Sequence, residues 1–236
     1  MATNPVAVKK LRRRSKKYEA RSKNYSYYLL LATYYFLVVR LSATGDVVHA
    51  LPALMELRAA YPDGQIDWLA EPASAPMLRH SGAVDQVIEV ATGRWRRRPF
   101  SPATWKELAT TVRLLRGRRY DVALDLQGLW KSAFPARISG AREVAGMATA
   151  DLREPSARIM YDRQAEPAGR MHQVERNRKL LSLLGVTSTG PARYPERLWS
   201  PADQARADAI RSALPEKFVV LHPGAGWATK VWAPER

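Results

Sequence analysis

The chain reads as an α/β protein built on a doubly wound parallel sheet, and three observations predict it. Leu37-Val38-Val39 is a short apolar, β-branched run that reads as a buried strand. A small polar turn follows, Ser42-Ala43-Thr44-Gly45-Asp46, and then Val47, Val48, Leu51, Leu54, Met55 and Leu57 recur at helical spacing. Strand and helix signals then alternate as far as Gly185, which means a parallel sheet. Ligands of such sheets bind outside the carboxyl ends of the strands. Asp46 is therefore placed at the expected site by topology alone. Asp is also a good helix N-cap, and the spacing leaves cap and catalytic carboxylate equally open and mutually compatible.

Each element has its own signal. Residues 1–24 are basic and nearly free of apolar periodicity, and read as a disordered arm. Such arms can bind nucleic acid or an anionic membrane, or do nothing. Tyr25 to Val39 resembles the n- and h-regions of a signal peptide. It is too short to span a bilayer, which needs about 20 apolar residues. Cleavage near Ala43 would also remove the first strand, so its second half is read as that strand. After the first helix, Pro62-Asp63-Gly64 makes a turn. Gln65 to Leu69 is a second strand, Pro72 to His80 a short helix, and Val84 to Val90 a third strand.

The loop Thr92 to Phe100 follows that strand's carboxyl end and carries Arg94, Trp95, Arg96, Arg97 and Arg98. Guanidinium groups match phosphate oxygens in bidentate geometry. Ser101-Pro102 opens a helix with a cap and a Pro at its first position. Arg113, Arg116, Arg118 and Arg119 lie towards its far end, where the helix dipole favours cations. Asp121 to Leu126 is a fourth strand, Gln127-Gly128 the turn after it, and Leu129 to Ile138 a helix. Lys131 opposes the dipole in that helix's first turn, a local conflict of the kind functional sites show. Glu143 to Met147 is a fifth strand, residues 148–171 are irregular and polar, and His172 to Leu184 is a helix ending at Gly185. Pro191, Pro195 and Pro201 punctuate a linker over 186–201. A helix from Pro201 to Leu214 precedes a strand at Lys217 to Leu221 and a Gly turn, His222-Pro223-Gly224-Ala225-Gly226, suited to phosphate.

Composition bounds the partners. The chain has 236 residues, no Cys and a net charge of +16. The absence of Cys excludes disulfides and thiolate metal sites and suits a reducing compartment. The charge points to an acidic partner. Half of it sits in residues 1–24, which hold nine Lys/Arg and one Glu, with the other half expected to be spread over the globular part. There is no Asp-x-Asp, and the four His show no ligand spacing, so no metal and no cofactor are expected.

Six segments in order carry a resemblance. They are Ser42 to Ala53, Arg94-Trp95-Arg96-Arg97, Asp125-Leu126-Gln127-Gly128-Leu129-Trp130-Lys131-Ser132, Arg153-Glu154-Pro155, His172-Gln173-Val174-Glu175-Arg176, and His222 to Gly226. From about Tyr34 to Arg236 the chain resembles the lipopolysaccharide heptosyltransferases, inverting glycosyltransferases of family 9 with the GT-B fold. The resemblance implies a GT-B-type α/β protein: a basic arm at 1–30, a complete N-terminal Rossmann-like acceptor domain at 31–185, a linker at 186–201, and the start of a nucleotide-sugar domain at 202–236, incomplete at its carboxyl end. A chain so cut short is expected to transfer little sugar. The implied reaction moves heptose from ADP-L-glycero-D-manno-heptose (ADP-heptose) to a Kdo hydroxyl of phosphorylated Kdo-lipid A, at the cytoplasmic face of an anionic inner membrane. Asp46 is the implied base. Ser42, Thr44, Gly45, Arg94, Arg96, Arg97, Gln127, Gly128, Lys131 and Arg153 are the implied acceptor side, and Gly224, Gly226, Thr229 and Lys230 the donor side. The arginine-rich and Arg-Glu-Pro segments lean towards the branch that adds the first heptose. The branch adding the second heptose, and other family 9 transferases, are the near alternatives. A basic nucleic-acid or membrane-surface binding protein is the alternative from another class, with no specific nucleic acid expected on the first reading.

Overall fold

The computed structural model describes residues 34–221 together with Gly224, Val231 and Trp232. The arm at 1–30 and the donor-side candidates Gly226, Thr229 and Lys230 lie outside the described residues. The chain divides into two units, the first ending at Leu198 and the second running from Trp199.

In the first unit six parallel strands form one sheet in the order β3-β2-β1-β4-β5-β6. They are β1 (Tyr35–Val39), β2 (Gln65–Ala70), β3 (Gln86–Glu89), β4 (Val122–Asp125), β5 (Glu143–Gly146) and β6 (Arg163–Gln164). The connecting helices are α1 (Thr44–Val48), α2 (Leu51–Ala60), α3 (Ala75–His80), α4 (Thr92–Arg97), α5 (Pro102–Arg118) and α6 (Trp130–Ile138), with α7 (Gln173–Leu180) after β6.

The sequence produces this sheet because β1 must be buried on both faces, which demands a continuous apolar run rather than an alternating one. Phe36 and Val38 point into one core with Leu51, Leu54, Leu57, Trp68, Leu180 and Leu181. Leu37 and Val39 point into the other with Ile88, Leu115, Tyr120, Ala136 and Val144. Helices therefore cover both faces. The chain moves outwards from β1 to β3, then returns to pair β4 on β1's other side. The order reverses between β1 and β4, and the crevice above their carboxyl ends is where such a sheet takes a ligand.

Several expectations change. The first helix is two: α1 ends at Val48 and α2 begins at Leu51. Asp46 is not the N-cap of α1, a position held by Ala43; it sits at N3 and accepts from the Ala43 N–H at 3.2 Å. The arginine-rich loop is helical over Thr92–Arg97. Residues 148–171 contain two 3₁₀ turns, Thr149–Asp151 and Pro155–Met160, and the two-residue strand β6, which its polar residues did not announce. The His172–Leu184 segment is α7 followed by a 3₁₀ turn at Leu181–Leu184, stopped by Gly185 in the left-handed conformation.

The second unit contains α8 (Pro201–Ser212), opened by a reciprocal cap between Ser200 and Asp203. Lys217 to Leu221, expected as a strand, is exposed and pairs with no strand among the described residues. An apolar run becomes a strand only when a neighbour takes up its N–H and C=O groups.

Candidate active site

The turn after β1 and the turn after β4 are bound to each other across the switch point. Gln127 Oε1 accepts from the Leu41 N–H at 2.9 Å. Lys131 Nζ donates to Ser42 Oγ at 2.6 Å. Arg40, buried just past β1, donates to the Leu126 carbonyl at 2.5 Å and pairs with Asp46 at 3.0 Å. Thr44 Oγ1 lies 3.4 Å from Ser74 Oγ, linking α1 to the turn before α3.

Asp46 is 46% exposed at its side chain, and both of its contacts, Ala43 N–H and Arg40, fall on Oδ2. Its Oδ1 has no protein partner among the described residues. Arg40 is only 7% exposed, and burial pulls its guanidinium below the usual arginine range, with Asp46 the largest opposing influence. Arg40 also feels the positive charge of Arg153. A carboxylate held by one buried cation, with one oxygen turned to solvent in a ligand crevice, is placed to take a proton from something bound there. Lys131 and Arg153, both exposed, make the surroundings attractive to an anion.

Asp125 provides the floor. It ends β4, is fully buried, and is saturated. Its Oδ1 accepts from Gln127 N–H at 2.8 Å and Gly128 N–H at 3.2 Å. Its Oδ2 accepts from Ser132 Oγ at 3.0 Å and Tyr161 Oη at 2.7 Å. Burial raises its pKa against the lowering of these four donors. The same burial, with the Asp125 charge, raises that of the Tyr161 phenol. Asp125 thus fixes the turn that presents Gln127 and Lys131. Gly128 is required there for its own reasons: φ is +73°, and an added Cβ would come within 2.8 Å of Leu152 Cδ2. At Gly45 the situation is reversed, since a Cβ would meet nothing within 4 Å. That backbone is bare on the open side of the crevice.

The structure therefore brings Asp46, Ser42, Thr44, Gly45, Gln127, Gly128 and Lys131 into one neighbourhood, with Arg153 near enough to act on Arg40. Gln127 spends its side-chain oxygen on the backbone. The arginine-rich helix stands further out. Arg94 is paired with Glu107 at 2.8 Å, and Arg96 and Arg97 are exposed. Gly224 is exposed in the second unit. Sequence reasoning missed Arg40, Asp125's saturation and Tyr161. Arg40 did leave a signal: a cation directly after an apolar strand, before a Gly-Asp turn, has a carboxylate within reach. Among the described residues no cluster of His, Asp and Glu could hold a metal ion.

Known proteins resemble this chain in sequence and in fold. The model of glycosyltransferase family 9 (heptosyltransferase) matches residues 108–236, more than half of the chain. Lipopolysaccharide heptosyltransferase 1 of Salmonella typhimurium is 38% identical over 146 residues, 62% of this chain and 46% of that protein. The enzyme of the same name from Pseudomonas aeruginosa is 34% identical over 198 residues, 83% of this chain and 54% of that protein. The chain spans about half the length of these relatives. Among solved structures, E. coli heptosyltransferase WaaC with ADP-2-deoxy-2-fluoro heptose is 33% identical, with a TM-score of 0.63 over 77% of this chain and 55% of that one.

Proposed function

The chain belongs to glycosyltransferase family 9 (heptosyltransferase), and we propose that its first unit forms the acceptor side of a heptosyltransferase I-like enzyme. The reaction is transfer of L-glycero-D-manno-heptose from ADP-heptose to a Kdo hydroxyl of the lipopolysaccharide inner core, at the cytoplasmic face of the inner membrane. The carrying observation is Asp46: half exposed at the switch point, ion-paired through Oδ2 to buried Arg40, with Oδ1 unengaged among the described residues. The acceptor hydroxyl loses its proton to Oδ1 as its oxygen forms the new bond to the anomeric carbon. The bond from that carbon to the diphosphate breaks on the opposite side, inverting the centre, and ADP leaves with the electron pair. Arg40, paired with Asp46 at 3.0 Å, holds that carboxylate in place throughout. Lys131 and Arg153 hold the acceptor's phosphate and carboxylate groups. Residues 202–236 belong to the donor side, and Gly224, Gly226, Thr229 and Lys230 are its candidates for contact with the diphosphate.

Two findings favour this over a general anion-binding module. The similarity is to heptosyltransferase 1 proteins, one of them solved with a fluorinated ADP-heptose, and the segment after β4 falls within the matched region. The test is transfer to Kdo-lipid A from ADP-heptose, read by mass spectrometry. It uses a chimera of this chain with the part of the Pseudomonas aeruginosa relative that lies beyond the match. Addition of one heptose to the Kdo acceptor, and none to an acceptor already carrying it, is the expected result. Transfer to neither acceptor by a folded chimera that binds ADP would overturn the assignment.

A further inference from the structure

The positive charge of this chain is not spread over its globular part. Residues 1–24 and residues 91–120 each hold nine Lys/Arg and one Glu, and in everything else twenty cations meet twenty acids. The whole net charge therefore lies in the arm and in the α4–α5 segment. That segment's one acid is already engaged: Glu107 accepts from Arg94 and from the Trp95 indole, each at 2.8 Å, and so ties α4 to α5. Arg96, Arg97, Arg98, Lys106 and Arg113 are exposed and have no ion-pair partner among the described residues.

Apolar surface lies among these cations. Phe100, between the two helices, is 90% exposed, and Trp105 in the first turn of α5 is 60% exposed. Of the 17 residues of α5 only Leu115 is buried. Trp105, Leu108, Ala109 and Val112 recur at i, i+3, i+4 and i+7 and line one open apolar stripe, with Arg113 and Arg116 at its border. A helix with aromatic and aliphatic residues on one side and guanidinium groups beside them fits the interface of an anionic bilayer. It does not suit a second copy of this chain, whose like charge would repel it. Nucleic acid would use the cations but leave the aliphatic stripe wet.

We propose that the α4–α5 face docks the protein on an anionic phospholipid surface. The proposal deepens the reading above, in which the acceptor sits in a membrane, by assigning the surface that meets it. The placement is consistent with that role. Helix α4 begins directly behind the carboxyl end of β3, so Phe100 and the start of α5 share the sheet edge that carries the Asp46 turn. Thr92 donates to Glu71, whose N–H donates to Leu41, which links this face to the crevice. Docking here brings the mouth of the site to the lipid headgroups without any helix crossing the bilayer. Among the described residues no helix is long and apolar enough to cross one.

The chain has no Cys, so a single introduced thiol can be labelled alone. In Phe100→Cys carrying an environment-sensitive nitrobenzoxadiazole, the label is expected to brighten and shift to the blue with phosphatidylcholine–phosphatidylglycerol vesicles. It should not respond to phosphatidylcholine alone. A label at Asp63→Cys, in the turn before β2 on the opposite sheet edge, is expected to stay silent. Adding Arg98→Gln, Lys106→Gln and Arg113→Gln to the Phe100→Cys chain should raise the lipid concentration at the label's midpoint roughly 10²-fold. A silent label at position 100 on a chain that still sediments with anionic vesicles would place binding on the arm and overturn the proposal. An equal response on neutral vesicles, an unchanged midpoint in the triple variant, or a response to single-stranded oligonucleotide without one to vesicles would overturn it too. These vesicles contain no Kdo and no nucleotide sugar, so the result is independent of whether the transferase assignment holds.

Discussion

Two turns meet where the strand order reverses, and each brings a carboxylate. Asp125 closes β4 and Asp46 follows β1. Both oxygens of Asp125 are filled, one by two backbone N–H groups and the other by the Ser132 and Tyr161 hydroxyls. Among the described residues Asp46 is filled on one oxygen only, by Ala43 N–H and Arg40, and its side chain is 46% exposed. The difference teaches how to separate a structural acid from a reactive one when both occupy the ligand edge. A saturated acid positions its neighbours. A half-engaged acid keeps a lone pair for a substrate, and its cation fixes its position.

That contrast can be broken first at Asp125. Asp125→Ala strips four donors of their acceptor and opens a hole in the core. A buried group left unpaired costs about 1–3 kcal/mol, so the loss of unfolding free energy should be at least about 3 kcal/mol by urea titration. A loss below 0.5 kcal/mol, the scale of ordinary surface changes, would mean the acid does not organise the turn.

The same pair of proteins sharpens the point with pH. Asp125 binds its proton more tightly in the folded chain than in the unfolded one, because of burial. A group raised in this way contributes fully below its unfolded pKa, about 4 for Asp, and its contribution fades as pH climbs through the folded value. The stability advantage of the parent over Asp125→Ala should therefore narrow as pH rises above about 4. An advantage that widens would reverse the assignment of burial as the dominant influence.

Smaller effects follow outwards. Tyr161→Phe removes one of the four donors and leaves nothing orphaned, so it should cost about 1 kcal/mol. Lys131→Met removes an exposed cation that donates to Ser42. It should leave stability within about 0.5 kcal/mol, while weakening equilibrium binding of Kdo-lipid A roughly tenfold, as expected for one charge-assisted contact. Undiminished acceptor affinity would remove Lys131 from the site.

Much of this was legible in the sequence, for physical reasons. β1 announced itself because a strand buried on both faces must be apolar throughout. The Gly-Asp turn and the Gln127-Gly128 turn fell on the ligand edge because parallel topology leaves no other place for them. What escaped was whatever depends on partners distant in the chain. β6 is Arg163-Gln164, polar residues made a strand only by pairing with β5. Lys217 to Leu221 has strand composition, but composition supplies no neighbour. The +8 of residues 91–120 was visible as a count, yet only the exposure of Phe100 and Trp105 joins it to an apolar stripe. Arg40 could not be tied to Asp46 until the turn between them had a shape.

The central claim is that Asp46 is the base, and one comparison tests it directly. Asp46→Asn keeps an oxygen for the Ala43 N–H and for Arg40, so the fold should survive, with its thermal midpoint close to the parent's. Transfer from ADP-heptose to Kdo-lipid A is then measured in single turnover, with Asp46→Asn and parent chains each carried in the chimera described above. Loss of a general base predicts a fall of roughly 10²–10⁴ in the rate of the chemical step with acceptor affinity kept. Near-parental turnover by a folded Asp46→Asn protein would contradict the account and return Asp46 to the role of a helix-end residue.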